Sequence, residues 1–151
     1  MQADLWTFAV SLYQRSTVAD DCLALQAQGA NVCLLLCAAW LEHGAVDCTT
    51  DRVAALQKVA LQWSPGVIEP LRSLRQQWRG AAQQDAELAR LREAVKDLEL
   101  QAEKILLTRL AQASEGWPRQ ERSTPWLEAM APDGMDHRDA LLRLRAAVPS
   151  A

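Results

Sequence analysis

The apolar positions of this chain follow a helical period from residue 5 to about residue 113. They recur every three or four residues, the spacing that places side chains on one face of an α-helix. No segment alternates apolar and polar residues as a half-exposed β-strand does. The sequence therefore predicts an all-α fold.

The stretch 31–41, NVCLLLCAAWL, is apolar on every side of a helix. A helix without a polar face must be enclosed by other helices. We therefore expect about five short helices within residues 1–82 to form a compact bundle around this buried central helix.

Capping residues predict the boundaries of these short helices. The predicted N-caps are Asp4, Thr17, Asn31, Thr49 or Thr50, and Ser64 followed by Pro65. Gly29 and Gly44 offer left-handed positions at which two of the helices end. Pro70 removes a backbone donor, so a kink or a restart of the helix is expected there.

Residues 81–115 contain neither glycine nor proline, which predicts one long helix over about residues 83–113. Its apolar seam comprises Leu88, Leu91, Val95, Leu98, Ala102 and Ile105. Such a seam either packs on the chain's own core or pairs with a second copy as a coiled-coil homodimer. Because the seam drifts and its flanking charges do not alternate, packing on the core is favoured.

Proline and glycine recur throughout residues 114–151, and this pattern predicts a flexible C-terminal tail with one possible short helix. Trp117 and Trp126 lie in this tail. Tryptophan is a common anchor at interfaces, so both are candidates for docking on the body or on a partner.

The formal net charge of −3 and the isoelectric point near 5.4 argue against nucleic-acid binding and against an anionic membrane surface. The apolar run is too short to span a membrane, and the opening MQADLWTFAV does not resemble a signal peptide. We expect a cytoplasmic protein without a membrane segment.

The cysteines Cys22, Cys33, Cys37 and Cys48 are expected to be buried thiols. A thiolate-rich metal site with His43 is the alternative, but the spacing forms no CxxC pair. The sequence therefore predicts no metal and no cofactor.

No GxSxG, HExxH, Walker or GxGxxG motif is present, which disfavours the commonest enzyme classes and leaves no catalytic residue to name. The candidate binding residues are Arg72, Arg75 and Arg79, spaced to share a helix face. Such a stripe is either a solvated surface, a site for an acidic partner or a phosphate site.

Two functions remain in view. The first is a noncatalytic interaction or regulatory protein that binds a protein partner through the arginines, the seam and the tail. The second is a small anionic-ligand or enzymatic site in which Arg72 and Arg75 lie beside Trp40 or Trp63. Outward guanidinium groups on a shallow surface favour the first, and inward groups in a deep pocket favour the second.

The stretch LWTFAVSLYQRSTVADDCLALQAQGANVCLLLCAAWLEHG, followed by WSPGVIEPLRSLR, resembles a family of small uncharacterised proteobacterial proteins known by a domain-of-unknown-function label. The resemblance covers residues 5–75 and continues to about residue 112. It implies a helical bacterial cytoplasmic protein and carries no assigned reaction.

Overall fold

The computed structural model describes residues 4–15, 17–120, 124–131 and 138–148. Its elements are α1 (Leu5–Tyr13), α2 (Val18–Ala27), α3 (Val32–His43), α4 (Thr50–Trp63), a π-helical turn (Ser64–Ile68), α5 (Glu69–Gln77), α6 (Arg79–Ala82), α7 (Ala86–Ala113), α8 (Trp126–Met130) and α9 (Arg138–Ala147). Within those ranges the β-structure is limited to an isolated bridge between Val46 and Arg119. The predicted all-α fold is confirmed.

Local sequence fixes most of the helix starts. Asp4, Asn31 and Thr49 each accept a hydrogen bond from the backbone amide three residues on, at 2.8, 3.2 and 3.2 Å. Thr17 occupies the predicted position immediately before α2, but its φ is 72° and its side chain makes no capping bond, so the capping arrangement expected there does not form.

Gly29 adopts the predicted left-handed conformation after α2, with a φ of 99°. At the end of α3 the left-handed residue is Ala45, with a φ of 54°, whereas Gly44 has a φ of −80°. The amide of Val46 donates to the carbonyl of Leu41, and this bond closes the turn around Ala45. The left-handed residue predicted at Gly44 is therefore found one position later, at Ala45.

Ser64 and Pro65 do not begin a separate helix. The helical path of α4 continues through the π-helical turn, where the amide of Glu69 donates to the carbonyl of Ser64, five residues earlier. Pro70 cannot donate a backbone bond, and the wider turn before it accommodates the proline ring. The restart expected at Pro70 occurs one residue earlier, where α5 begins.

Helix α3 lies at the centre of the bundle. Every residue from Val32 to Ala39 is buried, and Leu35 has no exposed surface. Helices α1, α2, α4, α7 and α8 all pack against it. The enclosure predicted for an all-apolar helix is confirmed.

The long helix α7 begins at a cap that the sequence analysis did not name, Asp85, whose carboxylate accepts bonds from two amides of the first turn at 3.1 Å. It packs on α1, α3, α4 and α5. Its buried face contains Val95, Glu99, Ala102, Leu106, Leu107 and Leu110. No helix in the described ranges combines the length and apolarity that crossing a membrane requires.

Two short helices of the tail pack on the body. Trp126 and Leu127 of α8 are fully buried, and the Trp126 indole donates to the carbonyl of Val46 at 2.7 Å. The Leu127 amide donates to the Glu42 carboxylate of α3 at 3.1 Å. For Trp126, the structure therefore shows docking on the body.

Helix α9 packs along α2 and also contacts α8. Arg143 forms a two-point ion pair with the buried carboxylate of Asp21, with contacts of 2.7 and 2.9 Å to one oxygen. Arg145 pairs with Glu42 and with Glu128, the latter at 2.6 Å. The tail helices thus hold α2 in place, and α2 forms one wall of a groove on the body.

Candidate functional site: a groove between α1, α2, α3, α5 and α7

A groove of about 630 Å³ opens where α1, α2 and α3 face α5 and α7. Its walls are mainly apolar, from Trp6, Ala9, Val10, Leu23, Val32, Leu36, Leu100 and Leu107. Tyr13, Leu23 and Leu100 remain exposed at its mouth. Ligand pockets typically have this volume, apolar walls and a few polar groups that fix orientation.

The polar groups meet at the junction of α5 and α7. Arg72 and Arg75 lie three residues apart on α5, so they face α7 together. The Nε of Arg75 donates to Glu99 Oε1 at 2.5 Å, and its Nη2 lies 3.3 Å from Oε2. The Nε of Arg72 lies 3.2 Å from Glu99 Oε2. Both guanidinium groups therefore point inward.

Glu99 is 6% exposed, so it lies on the buried face of α7 with its charge balanced by the two arginines. This hydrogen bonding raises the pKa of the Arg75 guanidinium above its ordinary value. When its amide oxygen faces α5, Gln26 of α2 accepts a bond from Arg72 Nε at 2.7 Å. The arginines thus connect α5 with α7 and α2 beside the groove.

The ion pairs leave part of each guanidinium free to act. A guanidinium has five N–H donors, and the bonds to Glu99 and Gln26 do not use all of them. Both arginine side chains retain about a fifth of their exposure, at 21% and 23%. Donors that face a groove in this way can bind an anion without breaking the existing pairs.

Glu103 lies one helical turn after Glu99 and lines the same groove. Its carboxyl makes no hydrogen bond with a side chain in the described ranges. Burial, and then the neighbouring charge of Glu99, raise the pKa of Glu103 to about 6, although Arg72 and Arg75 oppose the shift. A carboxyl with such a pKa changes its charge near neutral pH.

The groove contains no activated nucleophile. Cys33 lines it, but burial raises the pKa of this thiol well above its usual range. Burial also raises the pKa values of Cys22 and Cys37 to about 12. Across the residues that the structure describes, no three histidine, cysteine or acidic side chains cluster as a metal site requires.

The other predicted binding residues lie elsewhere. Arg79 begins α6, is exposed and does not line the groove. The aromatic residue beside the arginines is Trp6, rather than Trp40 or Trp63. Trp63 lies against another side of α7, where its indole donates to the Ala102 carbonyl at 2.9 Å.

The predicted seam of α7 is divided between two faces. Val95 is buried and Leu88 is half-buried. Leu91, Leu98 and Ile105, which are seven residues apart, are 58%, 50% and 41% exposed. We call these three residues the outer stripe. In the tail, half-buried Trp117 stacks on Trp126 with ring centroids 6.1 Å apart.

Sequence reasoning missed Gln26, Glu99 and Glu103 as site residues. A signal for Glu99 was present, because it falls between apolar positions of α7, four residues after Val95 and three before Ala102. A carboxylate on an apolar helix face requires a buried cationic partner. Gln26 had no such signal.

A family model described as a protein of unknown function, DUF2390, matches residues 4–110. The chain belongs to the DUF2390 family. The DUF2390 match contains every residue that lines the groove, from Trp6 to Leu107, and it ends before α8 and α9. No curated protein and no solved structure matches the chain.

Proposed function

We propose that this DUF2390 protein is a noncatalytic binding protein whose groove takes a small amphipathic anion. The anionic head lies against Arg72 and Arg75, and the apolar body lies among Trp6, Leu23 and Leu100. The observation that carries the proposal is that the two guanidinium groups turn inward to the buried Glu99 and line an apolar groove.

The charges of the groove support an anionic ligand. The ionisable side chains at its polar end are Arg72, Arg75, Lys96, Glu99 and Glu103. Lys96 is paired with Glu93, an acid outside the groove lining. Arg72 and Arg75 therefore oppose Glu99 and Glu103, and one positive charge is in excess when Glu103 is protonated. The apolar walls supply the rest of the binding free energy, at about 25 cal/mol for each Å² removed from water.

The test is a calorimetric titration with decane-1-sulfonate, which combines an apolar chain with a head that stays ionised at every working pH. A parallel titration with 1-decanol measures the contribution of the chain alone. We expect the sulfonate to bind at least tenfold more tightly than the alcohol, because one charge-assisted hydrogen bond contributes about 1.5–3 kcal/mol.

Leu23→Asp is the matched test variant, and Leu142→Asp on α9 is its control. Leu23 and Leu142 are 54% and 50% exposed, so neither change should disturb the core. We expect Leu23→Asp to weaken sulfonate binding by at least tenfold and Leu142→Asp to leave it unchanged. Equal binding by both variants, or equal affinity for sulfonate and decanol, would contradict the proposal.

A second candidate function is self-association through the outer stripe. Leu91, Leu98 and Ile105 are spaced by seven residues on a 28-residue helix, as apolar contacts between paired helices are. In an antiparallel pair centred on Leu98, Glu87 of one copy faces Arg109 of the other. This arrangement favours a second copy of the chain as the partner.

Light scattering across a concentration series tests the second candidate. We expect the wild type to form a dimer that Leu98→Lys dissociates, whereas Leu142→Lys leaves it intact. Leu98 and Leu142 are both 50% exposed, which makes the pair a fair comparison. A wild type that stays monomeric at millimolar concentration would exclude the homodimer.

We further propose that the protein works in the bacterial cytoplasm. Its four cysteines are free thiols, three of them buried, which suits a reducing compartment. Fractionation of the native host should recover the chain with cytoplasmic proteins, and its recovery from an oxidising compartment would contradict this assignment.

A further inference from the structure

Two carboxyl groups line the groove, Glu99 and Glu103. Within the described ranges, no cationic side chain forms a hydrogen bond with Glu103. Glu99, one turn earlier, takes the hydrogen bonds from both arginines. Glu103 is left facing the space in which the ligand's head would lie. An anion in that space meets a like charge whenever Glu103 is ionised.

We infer that Glu103 takes up a proton when the groove binds its anionic ligand. The groove therefore binds the anion more tightly at mildly acidic pH than at higher pH. This inference rests on the function proposed above and adds its regulation. The proton comes from solvent and forms the O–H bond of the neutral carboxyl. No other bond is made or broken.

The neighbouring groups decide which residue titrates. Tyr13 from α1, Cys33 from α3, Arg72 and Arg75 from α5, and Lys96 and Glu99 from α7 line the groove, and Lys104 lies over Trp6 at 5.0 Å. Helix α2 contributes only uncharged residues, Leu23 and Gln26. Desolvation raises the pKa values of Tyr13 and Cys33, so both stay protonated near neutral pH.

The direction of the effect follows from linkage. The pKa of Glu103 is about 6 in the free protein, and a bound anion raises it further because a second negative charge disfavours ionisation. Affinity for the anion is therefore highest below the pKa of the free protein. It falls as the pH rises through the interval between the free and bound pKa values, by up to tenfold for each unit.

The test measures decane-1-sulfonate affinity between about pH 5 and pH 8 for the wild type, Glu103→Gln and the control Glu115→Gln, in which the replaced acid is exposed. We expect the wild type and the control to lose roughly tenfold in affinity over this range. Glu103→Gln should keep the high affinity of the acid form throughout, because its side chain cannot ionise. Proton uptake should appear as a dependence of the binding enthalpy on the buffer's ionisation enthalpy.

Three results overturn the inference while leaving the proposed binding function standing. The first is a wild-type affinity that does not change with pH, and the second is an equal pH dependence of affinity in Glu103→Gln. The third is an NMR titration of the Glu103 carboxyl carbon in the ligand-free protein with its midpoint near 4.5 rather than 6. If the sulfonate binds none of the proteins at any pH, the proposed function fails, and the inference fails with it.

Discussion

Arg75 and Glu99 form a two-point ion pair that joins α5 to α7, with contacts of 2.5 and 3.3 Å. Arg72 binds the same carboxylate from the preceding turn of α5. A single buried acid thus holds two cations beside the groove.

Glu99→Gln should destabilise the protein and strengthen anion binding at the same time. The change removes the negative charge that balances both guanidinium groups, so we expect the free energy of unfolding to fall by about 2 kcal/mol. The same two groups then become freer to bind decane-1-sulfonate. Urea denaturation and calorimetric titration measure the two effects.

The matched control is Glu93→Gln, which removes a 70%-exposed acid on the same helix. Glu93 lies 3.4 Å from Lys96, with which it forms a surface ion pair. We expect its unfolding free energy to change by less than about 0.5 kcal/mol. If Glu99→Gln is as stable as this control, the ion pairs of Glu99 with Arg72 and Arg75 do not stabilise the fold.

Trp126→Ala should destabilise the protein by about 3–5 kcal/mol, because it removes a fully buried side chain that fills part of the core. Trp126→Phe should retain much of the packing and lose the hydrogen bond to Val46, with a smaller effect. Trp117→Ala, at a half-buried site, serves as the comparison. Equal stability of all three variants would show that α8 is not part of the folded core.

The stability of the protein should decrease slightly as the pH rises through the titration of Glu103. The folded pKa is about 6 and the ordinary value is 4.5, so the folded state binds more protons in this window. The associated stability is present below about pH 4.5 and is lost as the pH rises through 6, by on the order of 1 kcal/mol.

Comparison of Glu103→Gln with the wild type by urea denaturation at several pH values isolates this change. The difference in unfolding free energy between the two proteins should follow the titration of Glu103, and Glu115→Gln should show no such trend. A constant difference from pH 4 to pH 8 would contradict the shifted pKa.

Thiol labelling of the native protein should modify Cys48 first. Cys48 is half-buried, whereas Cys22, Cys33 and Cys37 are buried and their raised pKa values suppress the reactive thiolate. Iodoacetamide followed by mass spectrometry should show one fast site, which Cys48→Ser removes. Fast labelling of Cys37 would show that the core around α3 opens readily.

Local features of the fold could be read from the sequence because they depend on neighbouring residues. The enclosure of Val32–Ala39 follows from the absence of a polar face, and the cap at Asn31 needs only the three residues after it. The apolar period of α7 predicted a long helix. Each of these properties can be predicted without knowing which helix packs against the segment.

The contacts between distant segments could not be read in this way. Periodicity places Arg72 and Arg75 on one face of α5, but their inward direction depends on Glu99, which is 27 and 24 residues away in sequence, respectively. The outer stripe is apolar like the buried face of α7, and only the positions of the helices that pack against α7 distinguish the two faces. The groove therefore depends on how distant helices pack, which the sequence pattern does not specify.

An isotope-filtered NMR experiment on the protein with decane-1-sulfonate tests most directly whether the groove binds an amphipathic anion. We expect nuclear Overhauser contacts from the ligand's methylene protons to the methyl groups of Leu23 and Leu100 and to the Trp6 ring, with shifts in the Nε–H signals of Arg72 and Arg75. Contacts to Leu91 and Leu98 in their place, with the arginine signals unchanged, would contradict the proposed function.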